Sequence, residues 1–195
     1  MQIGAGSEQG SALGIQRVAQ ARPPEDEVAA VHDTLHGNPA AFGLFFERYG
    51  QRAYRSAVFL LGPARGDAED VVQETFVDAL HGLRSYRPTR PFYPWLYAIL
   101  RRRVVRHRRM RSDMDLDAAA PVPDSTEDAD LNWALFRITL ERREVLLLHH
   151  VLGYGVQEIA AMLGVPAGTV KSRLARAREA MARLLREANP HAGRD

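Results

Sequence analysis

GVQEIAAMLGVPAGTVKSRLARAR, residues 155–178, is the stretch whose reading decides the fold. Ile159, Ala160 and Leu163 recur at helical spacing, and Gly164-Val165-Pro166 interrupts them with a turn. A second helix is predicted from about Ala167 to Arg186. On it Val170, Leu174, Ala177 and Met181 share one face, while Gly168, Ser172, Ala175, Arg176 and Glu179 lie opposite. Lys171 and Arg178 flank one edge of the buried stripe, and Thr169 and Arg173 the other. Such a pair of helices can pack through its apolar residues and offer the opposite face to a DNA groove, as a helix-turn-helix does. Arginine binds guanine edges in a bidentate manner, and Thr169, Lys171 and Ser172 near the helix start suit phosphates or bases. Spacing alone equally allows an ordinary helical hairpin with a solvated basic face.

Upstream, Leu131, Trp133, Leu135 and Phe136, then Val145 to Leu148, continue the helical pattern. Before them the charge reverses twice. Residues 112–130 hold seven acids (Asp113, Asp115, Asp117, Asp124, Glu127, Asp128, Asp130) and no base. With little to bury, this segment reads as a flexible acidic linker between two domains. Residues 101–111 hold seven arginines (Arg101, Arg102, Arg103, Arg106, Arg108, Arg109, Arg111) and no acid. The net charge of +2 over 195 residues therefore conceals opposed blocks. Basic blocks on structured segments point to a polyanion partner.

The N-terminal half is helical too. After Asn38 as N-cap and Pro39, the residues Phe42, Phe45, Phe46, Tyr49, Ala53, Ala57, Leu60 and Leu61 form one apolar stripe on a long helix. Gly62 to Gly66 reads as a turn, and Asp67 as the cap of a helix carrying Val71, Val72, Phe76, Leu80 and Leu83. Arg87-Pro88-Thr89-Arg90-Pro91 is a break before a last helix that runs from about Phe92 into the arginines. No segment alternates with period two. The expected fold is all-α, with two helical domains at 25–111 and 131–188, a linker at 112–130, and tails at 1–24 and 189–195.

With 46% hydrophobic residues the chain can bury a core, yet its apolar runs are too short for a membrane span, and no secretory signal is visible. The expected location is the cytoplasm. The absence of cysteine excludes disulfides, thiolate nucleophiles and cysteine-ligated metal sites. Tyr86, Phe92, Tyr93, Trp95 and Tyr97 crowd beside the arginine block. Aromatic faces stack on unpaired bases while arginines hold the backbone, a pairing suited to single-stranded DNA. Core packing is the competing role for at least some of these rings. Asp70, Gln73 and Glu74 fall away from Val72 and Phe76, so they can meet a partner helix or simply complete a solvated helix start.

The run 155–178 closely resembles region 4.2 of bacterial sigma factors of the extracytoplasmic-function group, and Arg143 to Leu148 resembles region 4.1. Asp67 to Phe76 is similar to region 2.2, Pro91 to Tyr97 to region 2.3, and the arginine helix to region 2.4. The resemblance covers about residues 28–187, without a region 3. It implies an RNA polymerase sigma factor rather than an enzyme, needing no cofactor and no metal. Its implied partners are core polymerase (the β′ clamp and the β flap), promoter DNA and an anti-sigma factor. Asp67, Asp70, Gln73 and Glu74 would then meet polymerase. Tyr86, Arg87, Phe92, Tyr93, Arg101, Arg102, Arg106 and Arg109 would meet the opened minus-10 element, and Gly168, Thr169, Lys171, Ser172, Arg173, Arg176 and Arg178 the minus-35 duplex. The linker would thread the polymerase cleft. Many relatives carry Asn where Arg102 stands, and some a larger side chain at Ala175, which bears on base preference.

Two other readings compete. A helix-turn-helix regulator working without polymerase accounts for the C-terminal half, but not for the aromatic cluster or the helix start at Asp67. An enzyme would need a site such as Asp67, Glu69 and Asp70, or a metal at His149 and His150. Adjacent histidines point to different sides of a helix, and no third ligand stands at helical spacing.

Overall fold

The computed structural model describes residues 22–113 and 126–188, and every regular element among them is helical. Most of the expected tail at 1–24, residues 114–125 of the expected linker and the tail at 189–195 lie outside the described residues, whereas 112–113 and 126–130, expected as linker, are helical. In order the helices are α1 (Glu25–Leu35), α2 (Gly43–Leu61), α3 (Ala68–Gly82), α4 (Phe92–Asp113), α5 (Thr126–Arg137), α6 (Leu140–Leu146), α7 (Val156–Leu163) and α8 (Ala167–Ala188).

α2, α3 and the first half of α4 pack around Phe45, Ala53, Ala57, Leu60, Val71, Phe76, Phe92, Leu96 and Leu100, all buried. The Phe45 and Phe92 rings stack at 4.0 Å. The predicted long helix from Pro39 is broken: Pro39–Phe42 forms a tighter 3-10 turn before α2, and the Asn38 side chain makes no capping bond. Gly62–Asp67 is likewise a 3-10 turn rather than an open loop. Gly62 has φ +67° and ψ −125°, a conformation that glycine alone adopts readily, and its N–H closes α2 on the Val58 carbonyl. Asp67 precedes α3 without a side-chain capping bond. Its carboxylate instead receives Arg111 and lies 2.9 Å from His107 of α4. The Arg111 guanidinium of α4 outcompetes the helix end for it.

In the C-terminal half, α5 begins at Thr126, ahead of the expected Leu131. α6 ends in a widened turn over Leu147–Val151, with the Leu152 N–H reaching the Leu147 carbonyl at 2.9 Å. The predicted turn at Gly164 is left-handed (φ +66°, ψ +35°) and links α7 to α8. Val170, Leu174, Ala177 and Met181 are buried, as the wheel requires.

The two halves touch: α2 meets α6, α4 meets α7, and α5 packs on the Gly62–Asp67 turn. Sequence patterning gives the halves but not this seam.

Candidate nucleic-acid interface

The arginines of α4 divide by face. Arg102, Arg106 and Arg109 are exposed at positions i, i+4 and i+7, so they form one ridge, with Val105 and Met110 beside them. The other four turn toward protein. Arg103 binds Glu74 at 2.7 Å and Asp78 of α3, Arg108 donates to the Leu60 carbonyl at 3.1 Å, and Arg111 pairs with Asp67. Arg101 donates to Glu144 of α6 at 2.6 Å. The Arg103 hydrogen bond holds the Asp78 carboxyl below the usual carboxylate range, against a smaller opposing effect of burial.

The aromatic expectation needs correction. Phe92, Tyr93 and Tyr97 are at most 2% exposed, and Tyr86 is 6% exposed. The Tyr86 hydroxyl donates to the Arg90 carbonyl, and its ring meets Phe92 edge-on at 5.2 Å. Tyr93 hydrogen-bonds Ser56 at 2.8 Å. In this conformation the rings of Tyr86, Phe92 and Tyr93 belong to the core and are closed to a stacking base, because the loop before α4 folds Tyr86 back over Phe92. Trp95 is half-buried against both. Arg87, Ser85 and Arg90 remain exposed in the loop.

On α8, Gly168, Lys171, Arg176 and Arg178 are exposed, and Thr169, Ser172 and Arg173 are partly so. They follow the edge and outer face that the wheel assigns them. The Ser172 hydroxyl donates to the Thr169 carbonyl at 3.0 Å. Arg178 lies 3.3 Å from His150 of the widened turn, whose imidazole is biased to the neutral form by burial and by His149 and Arg178. His149 donates to the Tyr154 carbonyl at 2.9 Å, a structural role. Gly155 serves as N-cap of α7, and its N–H donates to Glu158 at 2.6 Å.

Of the acidic set, Asp70, Gln73 and Glu74 are exposed on α3. Asp67 is committed to α4. Two residues missed by sequence stand near this face: Val77, on the same helix, and Phe46, whose ring rests on Phe76 at 5.0 Å, are each 52% exposed. The sequence pattern places Phe46 in the apolar stripe, but one helical step beyond the buried Phe45 turns its ring outward. Arg143 and Glu144, within the stretch that resembles region 4.1, are each 1% exposed, a burial that the sequence does not signal because charged residues ordinarily read as surface.

A helix-turn-helix with a basic outer face, beside a second helix bearing an arginine ridge, defines an all-α DNA-binding protein. Residues 45–113 match the family model described as Sigma-70 region 2, and residues 137–181 match Sigma-70, region 4. The chain belongs to the sigma-70 family of RNA polymerase sigma factors, in the extracytoplasmic-function group. It is 34% identical over 179 residues to RNA polymerase sigma factor NccH of Alcaligenes xylosoxydans xylosoxydans, spanning 83% of this chain and 96% of that one. It is 32% identical to ECF RNA polymerase sigma factor SigM of Mycobacterium tuberculosis, over 82% and 83%. Among solved structures, CnrH in complex with the cytosolic domain of CnrY superposes with a TM-score of 0.65 at 32% identity, covering 84% of this chain and 99% of that one. RpoE in complex with the anti-sigma factor NepR from Bartonella quintana gives 0.60 at 28%, covering 69% and 91%. No helix among the described residues is long and apolar enough to cross a membrane.

Proposed function

We propose that the chain binds core RNA polymerase, brings it to promoters with minus-35 and minus-10 elements, and promotes opening of the duplex there. The observation that carries this reading is the pair of DNA-facing surfaces in one member of the family: the outer face of α8 and the ridge Arg102, Arg106 and Arg109. Lys171, Arg173, Arg176 and Arg178, with Gly168, Thr169 and Ser172, would enter the major groove of the minus-35 element, where Arg and Lys read guanine edges. The α4 ridge and Arg87 would hold the backbone of the opened minus-10 strand. Stacking by Tyr86, Phe92 or Tyr93 would require the loop 86–91 to unfold from the core, so the cations lead and the rings follow. Asp70, Gln73 and Glu74, bordered by Val77 and Phe46, would dock on polymerase. Apolar contacts ringed by polar groups make a stronger interface than carboxylates alone.

Two of the structural relatives are bound to other proteins, CnrH to CnrY and RpoE to the anti-sigma factor NepR. That supports control of this chain by an anti-sigma factor as well. The site of action is the cytoplasm, where polymerase and promoters meet. Run-off transcription with core polymerase on genomic fragments tests the reading. A promoter-specific product that depends on this chain is expected, together with co-elution with core polymerase. Failure to co-elute would leave the regulator reading in its place.

A further inference from the structure

The C-terminal end of α1 carries a pair of histidines that neither DNA contacts nor the core accounts for. His32 and His36 stand about one helical turn apart, so they share a face, and both are exposed. Their imidazoles stack with centroids 4.0 Å apart and planes 23° apart. In each ring Nδ1 meets an acceptor: the Asp33 carboxylate lies 3.3 Å from Nδ1 of His32, and the His32 carbonyl 2.7 Å from Nδ1 of His36. A carboxylate and a carbonyl can only accept, so in the neutral rings both Nδ1 atoms carry the proton and both Nε2 atoms keep a lone pair. The helix end that holds His36 is itself tied down. Its N–H donates to the His32 carbonyl at 3.0 Å, and after the left-handed Gly37 (φ +103°) the Asn38 N–H returns to the Asp33 carbonyl at 3.0 Å.

We propose that His32 and His36 form a binding site for a late first-row divalent cation, held by the two Nε2 atoms. The site does not rest on the sigma-factor reading. A tetrahedral ion with bonds of about 2.0–2.1 Å needs its two nitrogens about 3.3 Å apart, which rings stacked at 4.0 Å reach by a small tilt toward each other. Two protonated rings at that separation would set like charge against like, whereas two neutral rings can share one cation. A hydrogen bond from Nδ1 to a carboxylate or carbonyl is also what orients a metal-bound histidine and raises its basicity. The added positive charge meets the negative end of α1 and the Asp33 carboxylate. Among the described residues no group of three or more histidine, aspartate or glutamate side chains comes together to hold a metal, so the chain supplies two ligands and water the others. Imidazole suits Cu²⁺, Ni²⁺ and Zn²⁺, with Cu²⁺ the tightest, while Mg²⁺ and Ca²⁺ prefer oxygen. A metal bridging the two rings fixes the last turn of α1 and its exit into the Pro39–Phe42 turn, which buries Phe42 in the N-terminal core.

Calorimetric titration of the full chain with CuCl₂, ZnCl₂ and MgCl₂ in a non-coordinating buffer tests the site. Cu²⁺ and Zn²⁺ should each bind at this pair, copper the tighter, and Mg²⁺ should not. His32→Ala and His36→Ala should each weaken that binding by roughly hundredfold, because the helix holds the second imidazole at a high effective concentration. Asp33→Ala should weaken it by about tenfold through the lost Nδ1 acceptor. All three side chains are exposed, so the variants should keep the parent's helicity, which circular dichroism checks. Replacing the other histidine pair, His149→Ala with His150→Ala, should leave the binding in place, since His149 is bonded to the Tyr154 carbonyl and His150 Nε2 faces Arg178. The paramagnetic resonance spectrum of the copper-loaded chain should show two imidazole nitrogens, and one in either single variant. Amide exchange in the last turn of α1 should slow when ZnCl₂ is added. Undiminished affinity in His32→Ala or His36→Ala, loss of binding in the variant lacking His149 and His150 instead, or the same copper spectrum in parent and single variants overturns the site.

Discussion

Arg102 and Arg103 are neighbours in sequence and opposites in use. One helical step of about 100° sends Arg102 to solvent and Arg103 onto Glu74 and Asp78. Replacing each by alanine should therefore give different results. Arg102→Ala is expected to flatten the salt dependence of single-stranded minus-10 DNA binding by about 0.7 in the slope of log K against log salt, the share of one phosphate contact. Arg103→Ala should leave that slope nearly unchanged and lower the melting temperature, because it removes a tie between α3 and α4. Titrations at four or five salt concentrations, with thermal melts alongside, measure both, and equal slopes would refute the assignment. That the block concentrates positive charge on one helix was legible from its composition. Which arginines are free was not, because their acidic partners Glu74, Asp78, Asp67 and Glu144 lie 25 to 44 residues away in sequence.

At the scale of elements, α4 does two jobs along its length. Its first turns bury Phe92, Tyr93, Leu96 and Tyr97, and its later turns carry the ridge. The sequence pattern starts this helix near Phe92 and runs it into the arginines, yet it assigns the tyrosines to DNA because they adjoin those arginines. Burial decides otherwise, since a ring packed between α2 and α4 gains more from its neighbours than an exposed one would. The same burial sets a pH response. Burial pushes the Tyr93 phenol up to about 12, and burial with a smaller push from Glu27 brings Tyr86 to about 12, both from an ordinary value of 10. The folded protein thus keeps protons that the unfolded chain releases above pH 10. Stability from these two groups is complete below pH 10 and lost as pH rises from 10 toward 12. Helicity followed by circular dichroism should fall over that interval together with the appearance of buried-tyrosinate absorbance. Full tyrosinate signal near pH 10 with helicity intact would contradict the core placement.

For the whole molecule, the two-part organisation was readable from the charge reversal and from two separate runs of helical pattern, while the seam was not. Its members, Arg52, Leu60, Gly62, Tyr97, Arg101, Phe136, Arg143, Glu144 and Tyr154, carry no local signature, and only the folded halves bring them together. If the seam couples the halves, they should melt as one cooperative unit. Gly62→Ala forces an unfavourable backbone at a cost of about 1–3 kcal/mol and drives a methyl into Arg143 and Phe136. Scanning calorimetry is expected to show one transition for the parent and two, the first at lower temperature, for the variant. A single unshifted transition in both would mean that the halves are thermally independent of the seam. The Leu60 carbonyl carries a consequence in time. Arg108 reaches it across 48 residues of chain and Arg143 across 83, and synthesis proceeds from the N-terminus at roughly 5–20 residues per second. Each newly made molecule therefore passes through an interval in which α1 to α4 exist, Arg108 already closes α2, and no Glu144 has yet been translated to occupy Arg101. Ribosome-arrested chains halted before Glu144 emerges should capture single-stranded DNA more readily than the released protein, and equal capture would show that the finished fold withholds nothing from the nascent one.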